Sequence, residues 1–291
     1  MIKNALISEN KSRYRFTSKY LENVKISENK HVGSGNYLMS IISTNIVDGF
    51  SYPKAGQFYM LQLKNQIHIL RRPISLHSVN HKTGKLEFLY KVLGKGTEEL
   101  SSLVEGDIIN IQGPLGKGFD IIENSENIII VGGGIGLAPL KQLVEELIKK
   151  NGNKKITFIA GGRDKNVIQL LKNFNLDDEK IKMIICTDDG SVGEKSNVIE
   201  ILKKNLNDNK NIDIIYSCGP HKVLEIINEI ANKKNIISQI SMEERMACGV
   251  GACVGCSIET NEGMKKVCYD GPVFYSSIFK KTEKSRGEIN D

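Results

Sequence analysis

Residues 128–149 read IIIVGGGIGLAPLKQLVEELIK. The run opens with four consecutive β-branched residues, a pattern that suits a strand buried on both faces. Glycines follow at 132, 133, 134 and 136, and then leucines recur near the helical period. Pro139 is tolerated at the start of that helix because the first amides have no intrahelical partner. A strand, a glycine turn and a helix in this order let a ligand's phosphates approach the backbone and the positive end of the helix. A tight strand-to-helix turn with no ligand is the plainer alternative.

Downstream, KITFIAGG (155–162), IKMIICTDDGSVG (181–193) and NIDIIYSCGP (211–220) read as strands, and HKVLEIINEIANKK (221–234) as a helix. Alternation of this kind predicts a parallel sheet with ligands at the carboxyl ends of its strands. Gly132, Gly133, Gly134, Gly136, Arg163, Asp164, Thr187, Asp188, Asp189, Gly190 and Cys218 are expected on that edge. The chemistry points to a dinucleotide. Asp164 is the candidate for the adenosine ribose, while Arg163 beside it would suit a 2′-phosphate, so NAD is preferred and NADP stays open. Cys218 reads as a small buried hydrophobe, or, with Gly219 and Pro220 after it, as a residue facing the nicotinamide.

Before this region come short β-rich runs broken by Gly and Pro: YLMSIIST (37–44), GQFYMLQL (56–63), KLEFLYKVL (85–93) and DIINIQGPLG (107–116). Their length and spacing predict an antiparallel barrel or sandwich. In RRPISLHS (71–78), a rigid proline turn is expected to aim Arg72 and Ser75 at one ligand, the guanidinium fork suiting a pyrophosphate. In LYKVLGKGTEEL (89–100), Gly94, Gly96 and Thr97 precede a helix start whose free amides would hold an anion. Each also reads as a solvated strand end or a plain turn.

At 291 residues the chain is expected to hold two or three domains. Forty per cent apolar and 25% charged residues is a soluble globular balance. No run reaches the roughly 18 to 20 apolar residues of a membrane helix, and MIKNALISENKSRYRF lacks an apolar signal core. A cytoplasmic protein without membrane contact is expected. The net charge of +6 comes from scattered lysines. Nucleic-acid binding is disfavoured, because phosphate affinity needs clustered cations and the chain has no Trp.

Residues 243–256, EERMACGVGACVGC, carry the strongest chemical signal. Cys248, Cys253, Cys256 and Cys268 stand as C-x4-C-x2-C-x11-C, and the first three have the spacing of plant-type ferredoxin ligands. Small residues between them let backbone amides reach cluster sulfurs. A reducing compartment disfavours disulfides. Structural zinc prefers two short C-x2-C pairs, which this spacing lacks.

Together, RRPIS, GGGIGLAPL, CGP, MEERMACGVGACVGC and VCYDGPVF resemble the electron-transfer subunits of dihydroorotate dehydrogenase B, in the ferredoxin reductase superfamily, over residues 17 to 280. The resemblance implies an α+β multidomain chain: an FAD-binding β-barrel over 1–123, its first sixteen or so residues a flexible tail; an NAD-binding α/β domain over 124–237; and a 2Fe-2S domain over 238–291. It implies FAD held by Arg72, Pro73, Ile74, Ser75, Leu89, Tyr90, Lys91, Gly96 and Thr97, NAD held by Gly132, Gly133, Gly134, Gly136, Asp164, Asp188 and Cys218, and a 2Fe-2S cluster on the four cysteines. No acid or base of the chain's own is implied, since the cofactors carry the chemistry. The implied task is relaying electrons from a separate FMN-containing dihydroorotate dehydrogenase chain, through cluster and FAD, to NAD+ in pyrimidine (UMP) biosynthesis. Two copies of each chain in a heterotetramer are expected. A ferredoxin:NAD(P) oxidoreductase-type subunit and a zinc-stapled binding module are the alternatives. SVGEKSNVIE (191–200) departs from the family pattern in lacking a second glycine after TDDGS.

Overall fold

The computed structural model describes residues 20–63, 69–150, 153–172, 174, 176, 178–209 and 211–279. The tail expected over the first sixteen residues lies outside these.

Seven strands make the first sheet: β1 (Tyr20–Gly33), β2 (Asn36–Ile42), β3 (Phe58–Leu61), β4 (Arg72–Ser75), β5 (Ser78–Asn80), β6 (Lys85–Lys91) and β7 (Ile108–Leu115). They are antiparallel, in the order β4-β3-β7-β1-β2-β6-β5. β1 serves two partners, pairing β7 through Tyr20–Lys25 and β2 from Ile26 onward, with a register shift between Ile26 and Glu28. Such a shift bends a strand and tightens its twist. The sheet's two edges meet because only Leu76 and His77 separate β4 from β5. The Leu76 N–H donates to Gln57 O and the His77 N–H to Glu87 O, both at 2.9 Å, closing the barrel. Alternation fills it, with Val24, Ile26, Met39, Ile41, Leu86 and Phe88 packed inside.

The segment RPIS corrects an expectation. Instead of a proline turn it is the extended edge strand β4, paired with β3 from Leu61↔Arg72 to Phe58↔Ser75. A sheet edge tolerates Pro73 because no ladder partner needs its missing N–H.

The second sheet has β8 (Asn127–Gly133), β9 (Lys155–Gly162), β10 (Ile181–Thr187), β11 (Glu194–Lys195), β12 (Ile214–Cys218), β13 (Ile237–Ser241) and β16 (Val273–Tyr275), ordered β11-β10-β9-β8-β12-β13-β16. All pairs are parallel except β13 with β16. Both faces are buried. Ile128, Ile130, Phe158 and Tyr216 face a core shared with Leu140, Leu143 and Leu147 of helix α3 (Leu140–Lys149; helices α1, Thr44–Val47, and α2, Lys95–Ser101, belong to the barrel). Ile129, Val131, Ile159 and Ile215 face the opposite core, with Leu202 and Leu206 of α5 (Val198–Asp208) and Ile227 and Ala231 of α6 (His221–Lys234). A short helix α4 (Val167–Leu171) packs on the first side. Strand order reverses between β8 and β12, the switch point at which such sheets bind ligands.

The remaining chain carries a hairpin of β14 (Ser257–Thr260) and β15 (Gly263–Lys266), helix α7 (Val267–Asp270) and β16. It is not a separate lobe. Cys256, Val267, Cys268 and Phe274 share a core with Phe58, Met60 and Leu115 of the barrel and Ile240 of β13. β13 begins at residue 237, so the boundary expected after that residue runs along a strand of the nucleotide sheet.

A buried polar seam joins barrel and nucleotide sheet. His77 Nδ1 lies 2.7 Å from Ala138 O, the Gln142 N–H donates to His77 O at 3.1 Å, and the Val79 N–H donates to Gln142 Oε1 at 2.9 Å. Lys141 Nζ sits 2.9 Å from Glu87 Oε2. Burial beside Lys141 pushes His77 down to about 4. Burial opposes ionisation of Glu87, but Lys85 and Lys141 outweigh it and hold the carboxyl at about 2.

Candidate functional site

A cleft of about 220 Å3 opens between the three parts of the chain. Seven of the nine residues expected at FAD line it: Pro73, Ile74 and Ser75 from β4, Leu89, Tyr90 and Lys91 from β6, and Thr97 from α2. Arg72 and Gly96 lie together outside it. A Cβ on Gly96 would collide with the Arg72 guanidinium, so glycine there makes room for the fork. Arg72 Nη1 donates to Leu70 O at 2.7 Å, and among the described residues no second acceptor is shown for the fork. Thr97 has a local task as well. Its Oγ1 accepts from the N–H groups of Leu93 (2.9 Å) and Gly94 (3.2 Å), so these two amides are taken, and α2 starts at Lys95.

The far wall of the cleft had no assignment in the sequence reading. Ile135, Ala138 and Pro139 come from the glycine turn, and Ser241, Met242, Glu243, Glu244 and Met246 from the strand end that leads into the cysteine loop. The paired glutamates directly before the cysteines were the available signal. Loss of water around the Glu243 carboxyl raises it above the usual carboxylate range.

The nucleotide edge gathers the expected residues, because β8, β9, β10 and β12 end at Gly133, Gly162, Thr187 and Cys218. Its glycines differ in purpose. A Cβ on Gly132 would strike Leu137, and one on Gly136 would come within 2.6 Å of Cys218 O; one on Gly133 would press Pro220 at 3.2 Å. These three serve packing. Gly134 alone has open space and a left-handed φ of +56°. Asp164 Oδ1 accepts from the Asn166 N–H at 2.8 Å and Asp189 Oδ1 from the Ser191 N–H at 2.9 Å. The Thr187 hydroxyl is committed to Val192 O at 2.9 Å, whereas Arg163, Asp188 and Gly190 are exposed. Cys218 is buried, and burial beside Glu243 pushes its thiol far up, so it stays protonated.

The four cysteines are drawn into two pairs. The Cys253 N–H donates to Cys248 Sγ at 3.4 Å and the Cys268 N–H to Cys256 Sγ at 3.4 Å. The Val250 N–H reaches Cys248 Sγ at 3.5 Å and the Gly251 N–H reaches Cys268 Sγ at 3.1 Å. Gly249 and Gly251 turn those amides inward at φ +69° and +78°. Among the described residues, no three His, Cys, Asp or Glu side chains converge as on a single ion. Two thiol pairs with amides aimed at sulfur fit a two-iron cluster, which takes two thiolates on each iron. Burial opposes ionisation of Cys248, but the N–H groups of Cys253 and Val250 hold it down at about 6. Burial and the neighbouring Cys256 push Cys268 up to about 12. Cys253 is exposed, while Cys256 and Cys268 are buried.

A barrel bordering an interdomain cleft, a switch-point glycine turn and a four-cysteine loop fit a flavin- and nucleotide-dependent oxidoreductase with an iron–sulfur centre. Family profiles agree: an oxidoreductase FAD-binding domain matches residues 24–119, an oxidoreductase NAD-binding domain residues 130–229, and the iron–sulfur cluster binding domain of dihydroorotate dehydrogenase B residues 243–279. The chain belongs to the family of dihydroorotate dehydrogenase B (NAD+) electron transfer subunits. It is 39% identical to that of Caldanaerobacter subterraneus subsp. tengcongensis over 228 residues, covering 77% of this chain and 86% of the relative. To that of Clostridium acetobutylicum it is 38% identical, covering 87% and 94%. Among solved structures, an NADH-dependent reduced ferredoxin-NADP oxidoreductase superposes with a TM-score of 0.77 at 26% identity, covering 88% of this chain and 89% of the other.

Proposed function

We propose that this chain takes electrons from a separate FMN-containing dihydroorotate dehydrogenase chain and delivers them to NAD+ in cytoplasmic pyrimidine biosynthesis, in an assembly of two copies of each chain. One observation carries the order of carriers. The segment from Ser241 to Met246 lines the cleft, and Cys248 follows two residues later, a chain distance of at most about 7 Å. Cleft and cysteine loop are thus consecutive on one piece of backbone.

In this reading Arg72, with Gly96 behind it and Thr97 beside it, binds the FAD pyrophosphate, and Pro73, Ile74, Ser75, Leu89, Tyr90 and Lys91 hold the ring. The Ser75 hydroxyl is a hydrogen-bond group on an otherwise largely apolar wall. Ala138 and Pro139 bring the nucleotide edge against that wall, so that Gly132–Gly136, Asp164, Asp188 and Cys218 present NAD to the ring. The buried, protonated Cys218 gives the nicotinamide a neutral surface. Bound there, FAD would supply hydride exchange with nicotinamide and single-electron exchange with a cluster that Cys248, Cys253, Cys256 and Cys268 would hold. Everything the chain itself does is positioning and tuning.

The layout is shared with the ferredoxin-NADP oxidoreductase above, and the stronger identity to the dihydroorotate family decides between them. Purification from the native host tests the proposal. An FMN-containing dehydrogenase chain should accompany this one, with iron and FAD in the complex. NAD-linked dihydroorotate oxidation that survives deletion of this gene would refute it.

A further inference from the structure

Lys266 does something none of the cofactor assignments uses. Its main-chain N–H donates to Asp270 Oδ2 at 2.7 Å, fixing the start of the side chain. The side chain then crosses the Tyr269 ring, with Nζ 5.3 Å from the centroid, and Nζ ends 3.0 Å from Gly251 O. That carbonyl belongs to the peptide joining Gly251 to Ala252. On the same glycine, the N–H donates to Cys268 Sγ at 3.1 Å. An ammonium group therefore grips the carbonyl of the residue whose own amide serves a ligand sulfur.

We infer that Lys266 is a tuning residue that raises the reduction potential of the cluster by holding a positive charge on Gly251, whose amide serves Cys268. Reduction adds one electron and no proton, so it increases negative charge on the sulfurs. A cation held at the Gly251 carbonyl lies close to that charge and favours it, and it fixes the glycine whose N–H donates to Cys268 Sγ. Hydrogen bonds and net charge around the sulfurs are main determinants of cluster potential. Asp270 opposes the effect in sign, but its carboxylate is bonded to the Lys266 main chain and not to the ammonium. The half-buried position of Lys266 limits screening by water.

This inference rests on the proposed cluster. The test is an EPR-monitored redox titration of the full chain with its FAD, comparing the natural protein with Lys266→Arg, Lys266→Gln and Lys266→Met, each checked for iron and flavin. Arg keeps the charge and should titrate with the natural protein. Gln and Met should titrate lower, the reduced-to-oxidised ratio at a fixed potential falling about tenfold, equivalent to 59 mV for a one-electron couple. If Met fails to load iron, the Arg and Gln pair still decides. Equal midpoints for Gln and the natural protein would overturn the inference, as would an Arg midpoint lowered as far as that of Gln. A natural protein without any 2Fe-2S signal would instead refute the proposed cluster itself.

Discussion

Two loops of this chain are rich in glycine for opposite reasons. In residues 132–136 three glycines exist because neighbours leave no room: Leu137 beside Gly132, Pro220 beside Gly133 and the Cys218 carbonyl beside Gly136. In residues 249–255, Gly249 and Gly251 are also closely packed, against Met60 and Tyr269, but both adopt left-handed φ values that turn amides toward sulfur. The first loop is shaped by what surrounds it, the second by what it encloses. Glycine content alone does not distinguish a packing turn from a binding loop; the direction of the amides does.

The largest effect should come from the enclosing loop. Cys253→Ser removes the exposed ligand and should abolish the cluster and electron exchange with the partner, while NADH still bleaches the bound FAD; absorbance and stopped-flow measurements check both. Retained cluster absorbance would break the contrast. Next is the packing turn. A methyl at Gly136 meets backbone that cannot swing aside, so Gly136→Ala should cost about 3 kcal/mol in denaturant unfolding, with iron content per folded chain unchanged.

A further consequence concerns the seam that carries Ala138, and through it the glycine turn. His77 ordinarily titrates near 6.5 and is held at about 4 in the fold. A depressed folded value means that its stabilising contribution is complete above 6.5 and is lost as pH falls toward 4. The loss amounts to about 3 kcal/mol. Glu87, held at about 2 against 4.5, continues the decline below that window. Thermal midpoints should therefore fall between pH 6.5 and 4, and His77→Leu should flatten this part of the profile. The smallest effect is at Gly134, where space is open and only the φ of +56° favours glycine. Gly134→Ala should cost about 1 kcal/mol and raise the KM for NADH with FAD content unchanged. An unaltered KM would move Gly134 into the packing class.

The legible parts of the molecule were those whose chemistry is local. IIIVGGGIG announces a two-face-buried strand and a turn within nine residues, and the cysteine spacing points to an iron–sulfur loop without reference to the rest of the chain. Arg72 to Ser75 was misread in shape, because whether RPIS turns or extends depends on its pairing with β3. Glu243 had only its place in the paired glutamates before the cysteines as a signal, and His77 and Lys266 had none that a local reading could use. Their roles arise where distant segments meet, at Cys218, Ala138 and Gly251 respectively. The same reasoning applies to the boundary expected after residue 237: β13 begins there and pairs with β12 on one side and, beyond the cysteine loop, with β16 on the other.

The return of β16 to β13 bears on how the cysteines are held. Ser241 pairs with Val273, and the Met242 N–H donates to Pro272 O at 2.9 Å, so the loop between them is closed at its root by backbone bonds alone. The ring that carries the cysteines is thus shut by main-chain hydrogen bonds, whatever the thiols themselves bind. The thiols are confined to one another's neighbourhood at a high effective concentration, as the two ends of a short tether are.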